Sequence, residues 1–104
     1  MSKKLIALCA CPMGLAHTFM AAKAIEQAGT ALGYEVKIET QGADGIKNLL
    51  TAEDIQQADI ILHATAVTPV QGERFEEALV YEISLQEAIK EAKIIIEDIE
   101  NGRF

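Results

Sequence analysis

Positive charge is scarce in this 104-residue chain: nine Lys and Arg stand against sixteen Asp and Glu, a formal net charge of −7. The nine are scattered. With no basic patch to supply affinity for phosphate polymers, nucleic acid and anionic membrane surfaces drop out as partners. Long apolar runs are also missing, since Leu5–Ala10 and Ile60–Leu62 fall well below the roughly 20 residues that span a bilayer. Met1-Ser2-Lys3-Lys4 ahead of Leu5–Ala10 has the outline of a signal peptide, but the run stops at Cys11-Pro12 and its length suits a buried strand. A soluble, cytoplasmic protein is expected. The two cysteines, Cys9 and Cys11, are separated by one residue, too few and too close for a disulfide framework and without the spacing of a zinc site. No metal is therefore expected. Internal repeats and low-complexity segments are absent, and the length leaves room for a single domain over residues 1–104.

The hydrophobic pattern that is present alternates between strand and helix. Lys4–Ala10, apolar throughout after Lys4, reads as a strand covered on both faces, and Pro12-Met13-Gly14 is a turn signal. From Leu15 to Leu32 the period becomes helical, with Phe19, Ala22, Ile25 and Ala28 on one stripe and Gly33 as the stop. Glu35–Thr40 alternates polar and apolar residues, which predicts a strand with one solvated face at a sheet edge. Gln41–Gly45 is expected to be loop and Ile46–Leu50 a helical turn, before a short helix capped by Thr51 with Asp54 at its third position. Asp59–Ala64 is a second buried strand, Thr65–Glu73 a loop, and Val80–Ile83 a short fourth strand. Ser84 and Glu87 form a capping box that opens a final helix ending near Gly102.

Such alternation predicts an open α/β sheet of four parallel strands, with right-handed crossovers and helices on both faces, a Rossmann-like layout. The fully apolar strands belong at the centre and the mixed ones at the edges, giving the order 2-1-3-4. Ligands of such sheets bind beyond the carboxyl ends of the strands where the order reverses, here between the first and third strands. The segment that begins at Cys11 leaves the sheet at that point.

Cys11-Pro12-Met13-Gly14-Leu15-Ala16-His17-Thr18 therefore puts a thiol at the end of a central strand and at the mouth of a helix. Backbone N–H groups from this stretch, proline excepted, and the positive end of the helix favour an anion there. The same field favours the thiolate, which makes Cys11 a nucleophile, and provides donors for the oxygens of a phosphoryl group carried on its sulfur. Met13, Gly14, Leu15 and Ala16 contribute backbone donors, Thr18 can add a hydroxyl, and His17 can donate to phosphoryl oxygens or support the thiolate when protonated. Three residues are candidate accessories. Gln41 follows the second strand at the same sheet edge, His63 ends the third strand, and Arg74 either forms an ordinary ion pair or reaches a phosphorylated loop or partner. Cys9 falls on a central strand and is expected in the core.

A thiol, five residues, then a basic side chain and Thr is also the layout of the phosphate loop of cysteine-dependent phosphatases. There the basic residue is an arginine whose fork grips the phosphoryl oxygens, whereas this chain has His17, and no general acid for a leaving alcohol is evident. Holding a phosphoryl group and passing it on suits these residues better than hydrolysis. Phosphatase activity, and a regulatory module whose phosphorylation state is read by a partner, stand as alternatives.

Cys11–Ala22, together with Glu39-Thr40-Gln41-Gly42, Leu50-Thr51-Ala52-Glu53-Asp54-Ile55 and Glu73-Arg74-Phe75, resembles the fructose-type IIB component of the bacterial phosphoenolpyruvate-dependent sugar phosphotransferase system (PTS), nearest its fructose-like branch. The resemblance covers essentially the whole chain. It implies that Cys11 accepts a phosphoryl group from the phosphohistidine of a IIA component and passes it to fructose or a fructose-like sugar delivered by the membrane permease IIC. The activity would be that of a protein-phosphohistidine–sugar phosphotransferase acting on D-fructose, without a cofactor, in the cytoplasm and at the inner face of the membrane when docked on IIC. A carrier that meets its two partners in turn is expected to be a monomer. Two departures are visible: Met13 stands where the family usually has Thr or Ser, and His63–Pro69 lacks the acidic residue often carried there.

Overall fold

The apolar run near the start of the chain becomes the middle of the sheet. The computed structural model describes residues 3–10, 15–42, 45–65, 72–76 and 78–102, with the side chains of 15–17 and 42 excepted. β1 (Lys3–Ala10) pairs in parallel with β2 (Tyr34–Gly42) on one side and with β4 (Ile60–Thr65) on the other. β5 (Tyr81–Ile83) adds in parallel outside β4, and β3 (Gly45–Lys47) adds antiparallel outside β2. The order is β3-β2-β1-β4-β5.

This corrects the expected sheet of four parallel strands in the order 2-1-3-4. A fifth strand, β3, takes Gly45 from the expected loop and Ile46-Lys47 from the helical turn expected at Ile46–Leu50, the sheet is mixed, and β2 is an internal strand rather than an edge. The physical reason is local. Gly45-Ile46-Lys47 holds one apolar residue, too few to show a period, and pairs because Gly42 lies opposite Gly45, which takes a positive φ of 95°.

Strand alternation divides β1 between two layers. Leu5, Ala7 and Cys9 face the larger core, shared with Ile60, Leu62 and Ala64 of β4 and roofed by α1 (Leu15–Ala31) and α3 (Leu85–Glu100), which also pack on each other. α3 turns Leu85, Ala88, Ala92, Ile95 and Ile96 inward and is capped by Ser84, whose hydroxyl accepts from the Glu87 N–H at 3.0 Å while the Glu87 carboxylate accepts from the Ser84 N–H at 2.9 Å. α1 lies close on β2: an added Cβ at Gly29 would meet the Val36 Cγ2 at 2.7 Å. Ile6, Leu8 and Ala10 face a thinner layer made by Leu50, Phe75 and the short helix α2 (Ala52–Gln57), with Ile61 of β4 beside them. Among the described residues no helix is long and apolar enough to cross a membrane.

Candidate functional site

Because β1, β2 and β4 run parallel, their carboxyl ends share one edge of the sheet. At that edge Ala10, the last residue of β1, lies between Gln41 of β2 and Thr65 of β4. Cys11 follows Ala10 directly in the chain, and α1 begins at Leu15. Cys11, Pro12, Met13 and Gly14, and the side chains of Leu15, Ala16 and His17, lie outside the described residues. Thr18, in the first turn of α1, is 1% exposed, and its Oγ1 has no hydrogen-bond partner among the described residues. A buried hydroxyl left unpaired costs about 1–3 kcal/mol. Such a group next to a helix mouth is chemically suited to an incoming anion.

The three candidate accessories converge on the thin face of the sheet. Side chains of Glu39 and Gln41 on β2, Leu8 on β1 and His63 on β4 share this face, where Glu39 and His63 flank Leu8 in register. The Glu39 carboxylate is fully buried and accepts four hydrogen bonds: from Arg74 Nη1 at 2.8 Å and Nη2 at 3.1 Å, from the Leu50 N–H at 2.8 Å and from Gln41 Nε2 at 2.7 Å. Arg74 Nη1 also donates to the Leu50 carbonyl at 2.5 Å. Burial by itself would raise the Glu39 carboxyl, but the bonds from Arg74, Leu50 and Gln41 and the guanidinium charge outweigh it and hold the group below its usual range. Glu39 is thus an ionised carboxylate.

Sequence patterning places Glu39 on a solvated strand face, whereas in the structure its side chain is fully buried. Polar alternation in β2 describes Glu35 and Lys37, which reach solvent, but Glu39 and Gln41 further along the same face are buried, with Arg74 against Glu39, and Thr40 is buried on the opposite face. Glu39 was missed as a site residue because its partner is 35 positions away, beyond any local pattern. The ion pair admitted for Arg74 is present, though semi-buried rather than on the surface, and Arg74 also stacks at 5.1 Å on the ring of Phe75.

His63 is 6% exposed and packs edge-to-face on Phe75, with ring centroids 4.6 Å apart at 87°. Its Nε2 has no partner among the described residues. Burial pushes its pKa below the usual histidine value; Arg74 adds to the shift, while Glu82 and Glu39 oppose it. Cys9 is fully buried in the larger core, and burial pushes its thiol up to about 12. Phe19 and Met20 on α1 are exposed at 44% and 53%, so they belong to a rim and not to the core. No group of three or more His, Cys, Asp or Glu able to hold a metal ion occurs among the described residues.

Residues 6–98 match the family model described as "PTS system, Lactose/Cellobiose specific IIB subunit". The chain is 71% identical over 100 residues to the PTS system fructose-like EIIB component 1 of Escherichia coli (strain K12), a match spanning 96% of this chain and 93% of that protein. It is 44% identical over 97 residues to the fructose-like EIIB component 2 of the same organism, spanning 93% and 92%. Among solved structures, the Enzyme IIB subunit of the PTS system from Escherichia coli K12 superposes with a TM-score of 0.93 at 70% identity, covering 98% of this chain and 94% of the other. A domain of the fructose-specific IIABC component from Borrelia burgdorferi gives 0.88 at 40% identity, covering 97% and 96%.

Proposed function

This chain belongs to the PTS IIB family, whose components act in sugar phosphotransfer, and from that premise we propose that it is a single-domain phosphocarrier working through Cys11. The Cys11 thiolate attacks the phosphorus of a IIA phosphohistidine in line. The S–P bond forms as the N–P bond breaks, and the released imidazole keeps the electron pair and takes up a proton. In the second step a hydroxyl oxygen of fructose or a fructose-like sugar held by IIC attacks the same phosphorus, the thiolate leaves, and the hydroxyl proton passes to solvent or a base on the partner. Backbone donors of Pro12–Thr18 other than proline's, with the Thr18 hydroxyl and His17, hold the phosphoryl oxygens between the two steps. Most of the rate comes from positioning and from stabilising charge on those oxygens. The carrier works in the cytoplasm as a monomer and meets IIC at the inner face of the membrane.

One observation carries this assignment of the nucleophile. The chain has two cysteines, and Cys9 is fully buried with its thiol held protonated, which favours Cys11, next after the end of the central strand, as the reactive one. The engagement of Arg74 by Glu39 speaks against a phosphatase in which that guanidinium would grip the substrate.

The test supplies phosphoenolpyruvate, the general phosphotransferase proteins and a fructose-type IIA, and reads intact mass. Wild type and Cys9→Ser should gain one labile phosphoryl group and Cys11→Ser none. The absence of any gain with every cognate IIA would sink the proposal, and turnover of a model phosphate ester by the isolated protein would move it to a phosphatase. Membranes carrying candidate IIC proteins and different sugars then identify the acceptor.

A further inference from the structure

Folding alone gives little reason for the polar cluster on the thin face of the sheet. A buried ion pair is a weak stabiliser, and apolar residues of similar volume commonly do as well or better. Yet a fully buried carboxylate and a guanidinium whose side chain is 15% exposed stand beside Leu8, Leu50 and Phe75, where an apolar layer would close without them. What the pair does is join segments distant in the chain. Glu39 belongs to β2, the Leu50 N–H and carbonyl to the stretch after β3, and Arg74 to the short 3-10 turn Gly72–Phe75.

Those segments lead to both neighbours of Ala10. Gln41, which donates to Glu39, is the partner of Ala10 on the β2 side. Thr65, its partner on the β4 side, ends the strand from which the chain runs through residues 66–71 to the turn holding Arg74. We infer that Glu39 and Arg74, with Gln41, form a clamp that fixes the carboxyl end of β2 beside the end of β1 and thereby positions Cys11 for phosphoryl transfer. The inference rests on the phosphocarrier reading above. Glu39 and Arg74 are positioning residues: the two-pronged Arg74 fork locks relative orientation in a way that a point charge on a lysine does not.

The experiment compares wild type, Arg74→Lys and the neutral double variant Glu39→Gln/Arg74→Met. It reads melting temperature, phosphorylation rate against IIA concentration, and the pH profile of iodoacetamide labelling at Cys11. The double variant should melt close to wild type. It should accept the phosphoryl group about 10- to 100-fold more slowly at saturating IIA, with the IIA concentration for half-maximal rate unchanged, as expected of a misplaced nucleophile. Its Cys11 labelling profile should shift, and Arg74→Lys should fall between the two. A folded double variant with wild-type transfer and labelling would overturn the clamp. Should the double variant fail to fold, wild-type rates in Arg74→Lys would do the same. If wild type takes no phosphoryl group from any IIA, the phosphocarrier reading fails while the labelling profile still decides the clamp, a shift supporting it and no shift overturning it.

Discussion

At pH 8, in the folded protein, an alkylating reagent should modify this chain once, at Cys11, and leave Cys9 untouched. Burial moves the Cys9 thiol from 9.0 up to about 12, and its side chain has no exposed surface. At that pH a thiol near 12 is ~10⁻⁴ thiolate, against ~10⁻¹ for an unperturbed one, so Cys9 holds about 10³-fold less of the reactive form and should react far more slowly, before steric exclusion is counted. The assay is a time course with iodoacetamide followed by peptide mapping, run beside a denatured control in which both cysteines react at similar rates. Modest guanidinium should accelerate labelling of Cys9 in step with loss of helical circular dichroism, because the route to that sulfur is unfolding. Cys9 labelled at the rate of an exposed thiol while the protein stays folded would refute its placement, and with it the support that its burial lends to Cys11 as the proposed nucleophile.

Other outcomes follow from the packing. Gly29→Ala should destabilise, because overpacking against Val36 at 2.7 Å costs about 1–3 kcal/mol, more than the roughly 1 kcal/mol that alanine gains in a helix; Val36→Ala in the same chain should restore the melting temperature. Ser84→Ala removes a capping box and should cost about 1 kcal/mol, read as a fall in melting temperature of about 4–8 °C for a domain of this size. His63 is held neutral below its unfolded pKa, so its contribution is present above pH ~6.5 and is lost as pH falls toward its lowered folded value, at up to about 1.4 kcal/mol per pH unit. Chemical denaturation from pH 7 to pH 5 should show this slope in wild type and not in His63→Gln. Glu39 acts in a lower window: its contribution is present above its unfolded carboxyl pKa and is lost as pH falls through the depressed folded one.

The parallel centre of the fold was legible because its residues announce themselves locally. Leu5–Ala10 and Ile60–Leu62 are continuous apolar runs, Ser84 with Glu87 and Thr51 with Asp54 are capping boxes, and Gly33 stops α1, with a φ of 92°. Cys11 stood out for the same reason, since a thiol between an apolar run and a helical period needs no distant partner to be noticed. β3 was not legible, because three residues with one apolar side chain have no period and gain their partner from the chain reversal at Gly42 and Gly45. Nor was the burial of Glu39. Alternation along β2 separates two faces but does not say where either is wet, and the polar face is dry at Glu39 because of distant residues, above all Arg74, 35 positions away.

That dry polar face gives the two sides of one sheet different tasks. The side under α1 and α3 is a continuous apolar layer running from Leu5 to Ile96 and can supply most of the hydrophobic stabilisation. The other has a smaller apolar set, Ile6, Leu8, Ala10, Leu50, Ile61 and Phe75, and carries a desolvated carboxylate whose burial is offset by its four hydrogen bonds rather than by packing. A chain of this size has little stability to spare, so a costly polar contact is tolerable on one face because the other is thick. Damage should separate in the same way. Truncating Leu62 under α1 and α3 takes stability from the whole domain, whereas neutralising Glu39 and Arg74 together leaves the thick face intact and alters the sheet edge from which Cys11 departs.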